Sequence, residues 1–213
     1  MKKLLFIHRS VGENAIVQGD LYGKLTSFTA VLEFSDFNQN TSVYRNSKGS
    51  KTTILKMPGE NTRPEDYAEL FSEKPSKMLD FVLHFDVIII KSCYPNSNIK
   101  SQSELEQVKA YYRSICSYIS GKPSKKLIIL TSPPLQPLMT SKINAKRAQD
   151  LAEWLTTEKF GDTIKVFNLH KLLADYSGLL GRKYRRLLPF DSHPNKKANE
   201  LIAQELTKLI SQI

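Results

Sequence analysis

Short apolar runs alternate with helix-period patterns along almost the whole chain. The runs that we interpret as strands cover residues 4–7, 29–34, 85–90, 126–130 and 163–167. Runs of this kind are typical of strands that are buried on both faces of a parallel sheet. Helical segments between such strands form right-handed crossovers. We therefore expect an α/β fold, a three-layer sandwich with a five-stranded parallel sheet in flavodoxin-like order, in a single domain over residues 1–213.

Two segments between these strands have weaker patterns. Residues 14–25 indicate a helix, although Gly19 and Gly23 interrupt it. Residues 38–58 are polar, and we expect them to form a long loop with a short extended piece at residues 52–55. Loops of such length in compact domains are often functional.

The chain is strongly basic, with 31 Lys and Arg against 21 Asp and Glu and a formal net charge of +10. The basic residues are not interleaved with aromatic residues in a nucleic-acid-binding motif, so we expect no nucleic-acid partner. The densest cluster, residues 182–186, lies shortly before His193. We expect Arg185 and Arg186 to line the rim of a site and to favour an anionic substrate. The alternative is a solvated basic surface.

The chain has no apolar run long enough to span a bilayer. The apolar segment near its start, residues 4–7, is too short for the core of a signal peptide. These features predict a cytoplasmic protein without a membrane partner. Cys93 and Cys116 lack the spacing of metal ligands, and we expect both to be buried thiols.

The first strand ends abruptly in polar residues and places Ser10 at a strand-to-helix turn. Ligands bind outside the carboxyl ends of strands in open parallel sheets, so this serine would project into a site. The first amides of a helix have no partner within the helix, and those of Ser10 or Val11 could receive developing negative charge. Nucleophile and oxyanion donor would then come from one turn. The alternative is a serine that only caps the helix.

A second polar motif, Asp191-Ser192-His193-Pro194, directly precedes the last predicted helix. In the expected fold, His193 lies in the loop after the last strand, at the same edge of the sheet as Ser10. The two side chains can therefore meet across the crevice although they are far apart in sequence. A serine beside an imidazole is the pairing that nucleophilic catalysis requires.

With these two end motifs, the sequence resembles the SGNH (GDSL-like) hydrolase superfamily. Members carry a nucleophilic serine after the first strand and a histidine before the last helix, positions that match Ser10 and His193. The family usually has Gly-Asp before the serine, whereas His8-Arg9 stand here, which indicates a divergent member. Its acid usually lies three residues before the histidine, where this chain has Phe190. Asp191 would complete a triad if it reaches the ring; otherwise a backbone carbonyl would orient the ring of a Ser-His dyad.

The resemblance also implies two further oxyanion donors, a glycine after the second strand and an asparagine after the third. Gly59 and Asn96 are the candidates, with Ser92 as a rival donor. Pro58-Gly59 is equally consistent with a plain turn, and Asn96 with a loop or cap residue. Of the remaining histidines, we interpret His84 and His170 as structural.

The resemblance implies that the protein hydrolyses an ester through an acyl-enzyme and needs no metal or cofactor. It favours removal of a small acyl group, such as acetyl, from a carbohydrate or another polar substrate. Two alternatives remain open. One is an inactive binding protein that keeps the fold, and the other is an O-acyltransferase that uses the same Ser10 and His193.

Overall fold

The computed structural model describes residues 1–28, 32–54, 56–59 and 62–213. In these residues the chain forms one mixed sheet of seven strands. The strands are β1 (Lys2–His8), β2 (Leu32–Asn38), β3 (Val43–Arg45), β4 (Lys51–Thr53), β5 (Val87–Lys91), β6 (Lys126–Leu130) and β7 (Ile164–Phe167). Residues 29–31 of the predicted second strand, and Leu55 of the predicted extended piece, lie outside the described residues.

The strand order is β4-β3-β2-β1-β5-β6-β7. Strands β2, β1, β5, β6 and β7 pair in parallel, whereas β3 and β4 pair antiparallel at the edge. The five predicted strands pair in parallel in flavodoxin-like order, β2-β1-β5-β6-β7, but the prediction of a purely parallel sheet of five strands is wrong, because the sheet has seven strands and is mixed. A hairpin occupies the segment that was expected to be a loop. Its turn is closed by Asn46, whose Oδ1 accepts from the amides of Lys48 and Ser50, and by Gly49 at φ +80°.

Eight α-helices lie in the described residues. They are α1 (Ser10–Val17), α2 (Leu21–Phe28), α3 (Pro64–Leu70), α4 (Lys77–Leu83), α5 (Gln102–Ser120), α6 (Lys142–Thr157), α7 (Leu169–Leu173) and α8 (Lys196–Ile210). Short 3₁₀ turns cover Tyr94–Ser97, Pro137–Met139 and Arg182–Tyr184. None of the helices in the described part of the chain is both long and apolar enough to cross a bilayer.

The predicted helix over residues 14–25 is wrong, because the chain forms two helices there and the first begins earlier, at Ser10. Asp20 adopts φ +53°, a left-handed conformation that breaks the helical path. Gly19 packs so closely on α8 that a Cβ there would lie 2.4 Å from the Asn199 carbonyl oxygen. The glycine that interrupts the pattern is thus a point of close helix packing.

The central strands are buried on both faces, which fixes the layers of the molecule. Leu5, Ile7, Ile88 and Ile90 point into a core shared with α3, α4, α5 and α6. Their neighbours in the strands point to the opposite face, into a core shared with α1, α2 and α8. Helices therefore cover the sheet on both sides, and the carboxyl ends of the parallel strands remain at one edge, where the candidate site lies.

Candidate active site

The strand-to-helix turn after β1 presents a serine and a set of helix-start amides together. Ser10 is the first residue of α1, and Arg9 is the residue that precedes the helix. The first helical hydrogen bond runs from the Glu13 amide to the Arg9 carbonyl over 2.9 Å. The amides of Ser10, Val11 and Gly12 come before this bond and so lack an acceptor within the helix. The turn can therefore offer a hydroxyl and amide donors to the same ligand atom.

His193 faces Ser10 across the carboxyl edge of the sheet. Its Nε2 lies 2.8 Å from Ser10 Oγ although 183 positions separate the two residues. On the other side of the ring, Nδ1 lies 2.5 Å from Asp191 Oδ1, and the same oxygen accepts from the His193 amide over 3.0 Å. With Nδ1–H donating to Asp191, Nε2 is left to accept the hydroxyl proton of Ser10. The structure thus brings Ser10, His193 and Asp191 into one hydrogen-bonded chain.

The Asp191 carboxylate is held in its charged form. Burial alone would raise its pKa, but hydrogen bonds from the His193 amide and ring, together with the charges of His193 and Arg186, outweigh burial and lower the pKa below its ordinary value. Arg186 Nη1 donates to Asp191 Oδ2 over 3.2 Å, opposite the oxygen that faces the ring. The carboxylate therefore stays available as an acceptor for the imidazole N–H over the whole neutral range.

The loop that carries Asp191 and His193 is fixed by a buried amide and an aromatic ring. The Gln136 side chain donates to the carbonyl oxygens of Asp191 over 2.6 Å and Leu188 over 3.0 Å. Tyr94 packs on the His193 ring in a T-shaped arrangement, with ring centroids 4.9 Å apart. These contacts restrict the rotation of the imidazole, which is what a positioned general base requires.

A buried polar network supports the Ser10 turn from behind. The His8 side chain is fully buried, with Nδ1 3.0 Å from the Arg9 carbonyl and Nε2 3.0 Å from Asp36 Oδ2. Tyr22 donates to Asp36 Oδ1 over 2.8 Å. Gly12 packs against the His8 side chain, and a Cβ on Gly12 would lie 2.2 Å from His8 Cβ. The His8-Arg9 pair that replaces Gly-Asp therefore places an imidazole beneath the start of α1.

The same network contains a potential metal site, and it is the only such group of side chains among the described residues. His8, Glu13 and Asp36 can each offer a ligand atom, and these atoms lie within 4.8 Å of one another. The Arg45 guanidinium already pairs with both Glu13 and Asp36. A metal ion would have to displace this cation, so the arrangement fits a structural ion-pair network better than a metal centre.

The other residues predicted for the site have different surroundings. Gly59 adopts φ +68° and lines a cavity beside Arg9, while its carbonyl accepts from Gln39 Nε2 over 3.3 Å. Asn96 lies on the same short turn as Tyr94 and lines a cleft of about 450 Å³ together with Arg63. Their roles as oxyanion donors stay predictions. The rival, Ser92, is buried with its hydroxyl 2.9 Å from the Tyr112 hydroxyl.

The two arginines predicted for the substrate rim contact protein groups instead of an open surface. Arg185 donates through Nε to the Leu180 carbonyl over 2.6 Å and pairs with Asp175 at 3.5 Å. Arg186 pairs with Asp191, as described above. Each arginine therefore faces a carboxylate, which reduces the attraction that it can exert on an anionic substrate.

Sequence reasoning missed the residues that hold the site in place. Gln136 lies in a proline-containing loop, and no pattern there indicates which side chain reaches back to Asp191. Asp36 could have been predicted from the alternation of side chains along a strand. It lies on the same face of β2 as Asn38, and His8 points to that face of the sheet because it pairs with Asn38. The His8 side chain itself is buried against Asp36 beneath α1.

Comparison with solved structures finds the same fold in proteins of the GDSL group. A protein from Desulfitobacterium hafniense, assigned to the G-D-S-L family of lipolytic proteins, has a TM-score of 0.59 and 12% identity, covering 98% of this chain and 99% of its own. A protein from Bacteroides fragilis, assigned as an acylhydrolase, has a TM-score of 0.62 and 12% identity, covering 99% of this chain and 87% of its own. A GDSL-like lipase from Bacteroides thetaiotaomicron has a TM-score of 0.59 and 10% identity, covering 99% of this chain and 88% of its own.

No protein-family model matches the sequence, and no curated protein matches it either. At identities of 10 to 12%, the structural likeness establishes the fold alone. The reaction that this chain can catalyse depends on its own side chains.

Proposed function

Since the chain has the SGNH (GDSL-like) hydrolase fold, we propose that it is a serine ester hydrolase that works through an acyl-enzyme. The observation that carries the proposal is the hydrogen-bonded chain from Asp191 through His193 to Ser10. A nucleophile, a base and a group that orients the base are the three parts that covalent acyl transfer needs.

In the first half of the reaction, His193 Nε2 takes the proton of Ser10 as Oγ attacks the ester carbonyl. Asp191 accepts from Nδ1–H, keeps the ring in the required tautomer and stabilises the imidazolium that forms. The imidazolium then gives its proton to the leaving alkoxide as the tetrahedral intermediate collapses to the acyl-enzyme. In the second half, His193 removes a proton from water as the water oxygen attacks the acyl carbon, and the imidazolium then returns that proton to Ser10 Oγ as the acid leaves.

The oxyanion of both tetrahedral intermediates would lie at the start of α1. The amides of Ser10 and Val11 come before the first helical hydrogen bond, and Gly59 and Asn96 are the proposed additional donors. A single donor of this kind typically contributes about 3 kcal/mol to stabilisation of the transition state. The helix start adds favourable positive potential at the same place.

For the substrate class, we propose a small acyl group, such as acetyl, on a carbohydrate or another polar molecule. The resemblance of the sequence and the polar surroundings of the Ser10 turn support this substrate class. Arg9, Asn40 and Lys56 line the cavity beside this turn.

Hydrolysis of phenyl acetate by the purified protein tests the proposal. The wild type should release acetate in water without an added acceptor, and Ser10→Ala should lose turnover by a thousandfold or more, on the order of what removal of a nucleophile costs. The melting temperature of the variant should stay within a few degrees, because a serine at a helix start contributes little packing.

The two alternatives give different results in the same assay. Acetyl transfer that requires an added sugar hydroxyl would identify an O-acyltransferase. Equal rates for wild type and Ser10→Ala would exclude Ser10 as the nucleophile and leave the binding protein as the better account.

A further inference from the structure

A small cavity opens directly beside the Ser10 turn. It has a volume of about 250 Å³, and its walls include Arg9, Gln39, Asn40, Ser42, Lys56 and Gly59. Arg9 immediately precedes the candidate nucleophile. The backbone N–H of Gln39 donates to the His8 carbonyl over 2.9 Å, and this bond holds the end of β2 against the end of β1. Arg9 is therefore both a wall of this cavity and the residue that leads into the Ser10 turn.

Among the described residues, the charged side chains that line the cavity are both cations. Arg9 and Lys56 line it, and among the described residues no carboxylate does. The Asp66 carboxylate, which lies against Gly59, is buried and accepts from the Arg63 amide over 3.0 Å. Arg9 Nη2 donates to Asn40 Oδ1 over 2.5 Å, and the Ser42 side chain adds a further neutral hydrogen-bonding group to the walls.

A further cation lies close by within the protein. Lys91 is fully buried, and its ammonium donates to the Ser92 carbonyl over 2.8 Å. Burial lowers the pKa of Lys91 to about 8, and the positive charge of Arg9 contributes to the lowering. Lys91 is the last residue of β5, the strand beside β1, so this second cationic side chain lies at the same carboxyl edge of the sheet as Arg9.

The cavity is built from a fixed backbone. Gln39 is 7% exposed, and its side chain donates to the Pro58 carbonyl over 3.0 Å and accepts from the Thr62 amide over 2.6 Å. Ser42 adopts φ +54° and Gly59 φ +68°, both in the left-handed region. A left-handed conformation is unfavourable for serine and persists only where the surroundings impose it, which is common at binding sites. Such a wall is largely formed before a ligand arrives.

We propose that this cavity is a subsite for an anionic group, a carboxylate, sulfate or phosphate, carried by the ester substrate, with Arg9 and Lys56 as the residues that select it. The inference rests on the proposed ester hydrolysis and specifies its substrate further. It places the selection of charge at the Ser10 turn and not at Arg185 and Arg186, whose guanidinium groups face Asp175 and Asp191.

The test compares a neutral and an anionic ester of the same acid, phenyl acetate and 3-carboxyphenyl acetate. The measured quantity is the ratio of kcat/KM for the anionic ester to that for the neutral ester, which cancels any general loss of active protein. Lys56→Gln should lower this ratio about threefold at low salt, and Lys56→Glu or Arg9→Gln should lower it further. Added salt should lower the wild-type ratio, because exposed charges are screened.

The matched control is Lys159→Gln, which removes the same charge from an exposed lysine that lines a different surface cleft. It should leave the ratio unchanged. A ratio that Lys56→Gln does not change, or that both variants lower equally, would overturn the proposal, since the effect would then be absent or due to net charge alone.

Failure of the proposed function can be told apart from failure of the subsite. If neither ester is hydrolysed, calorimetric titration with sodium sulfate still decides whether the cavity binds anions. Saturable binding that Lys56→Gln weakens about threefold, and Lys159→Gln does not, supports the subsite. No saturable binding, or equal binding by both variants and the wild type, overturns it.

Discussion

Asp191 is held by more contacts than its place in the sequence suggests. One carboxylate oxygen accepts from both the ring and the amide of His193, and the other faces Arg186. A carboxylate two residues before a histidine can reach the ring because the chain turns tightly enough for the side chain to accept the backbone amide as well. The resemblance to the family could not predict this, since there the acid usually lies one position earlier, where this chain has an exposed Phe190.

The role of Asp191 predicts a large effect of a small change. Asp191→Asn should lower kcat by a thousandfold or more, because the amide disfavours the tautomer that leaves Nε2 free to accept the Ser10 proton. The matched control is Asp175→Asn, which changes another carboxylate of lowered pKa, one that pairs with Arg185. It should stay within about threefold of the wild type, as expected for a partly exposed ion pair. A loss below about tenfold in Asp191→Asn would mean that another group orients the ring.

Helix α1 and strand β1 act together as the element that presents Ser10, the proposed nucleophile. The end of β1 turns into the helix within one residue, and the close packing of Gly12 on His8 fixes how α1 leaves the sheet. The network of His8, Asp36 and Tyr22 holds this junction from below. The direction of the Ser10 hydroxyl and of the first amides is therefore set by packing beneath the helix.

Enlarging Gly12 tests this packing. Gly12→Ala should lower the free energy of unfolding by about 1 to 3 kcal/mol, the usual cost of overpacking, although alanine favours helices more than glycine does. It should also lower kcat/KM, because the helix start must shift. Gly121→Ala is the control, since a Cβ there meets nothing closer than 3.5 Å. Chemical denaturation and ester turnover measure both effects, and a Gly12→Ala variant as stable and active as the control would contradict the account.

Elements with strong periodicity could be predicted from the sequence, and those fixed by distant contacts could not. The runs at residues 85–90 and 126–130 appear as β5 and β6, because burial on both faces demands apolar residues throughout. The hairpin of β3 and β4 was not predicted, because its strands, Val43–Arg45 and Lys51–Thr53, are short, largely polar edge strands joined by a turn. The break between α1 and α2 depends on α8, whose Asn199 carbonyl touches Gly19, and such a contact is invisible in the local sequence.

At the scale of the whole molecule, the two end motifs meet because the parallel strands share one carboxyl edge. Ser10 and His193 could be predicted as a pair for that reason alone, from the order of strands and helices. The residues around them come from loops after different strands, so their contacts depend on the complete fold. The same edge carries a buried histidine, His170, whose amide donates to the Thr131 hydroxyl over 2.9 Å.

His170 predicts how stability responds to acid. Burial lowers its pKa from the ordinary value of 6.5 to about 4, more than a hydrogen bond to the Ser132 carbonyl raises it. Between these pH values the unfolded chain binds a proton that the folded chain does not, so stability is full above about 6.5 and is lost as the pH falls toward about 4. The free energy of unfolding should fall by an amount on the order of a few kcal/mol.

Urea denaturation at pH 7 and pH 4.5 measures this loss. The pH dependence should shrink in His170→Gln and persist in His84→Gln, which changes an exposed histidine. Equal pH dependence in both variants would show that other groups account for the acid sensitivity.

Ser10, activated by His193, is the proposed nucleophile of this protein. Mass spectrometry of the intact protein and of its peptides after treatment with a fluorophosphonate tests this role, since the reagent forms a stable adduct with an activated serine. We expect a single adduct on the peptide that contains Ser10, slower labelling in His193→Ala and no labelling in Ser10→Ala. An unlabelled wild type, or a Ser10→Ala variant that is labelled as fast as the wild type, would contradict the account.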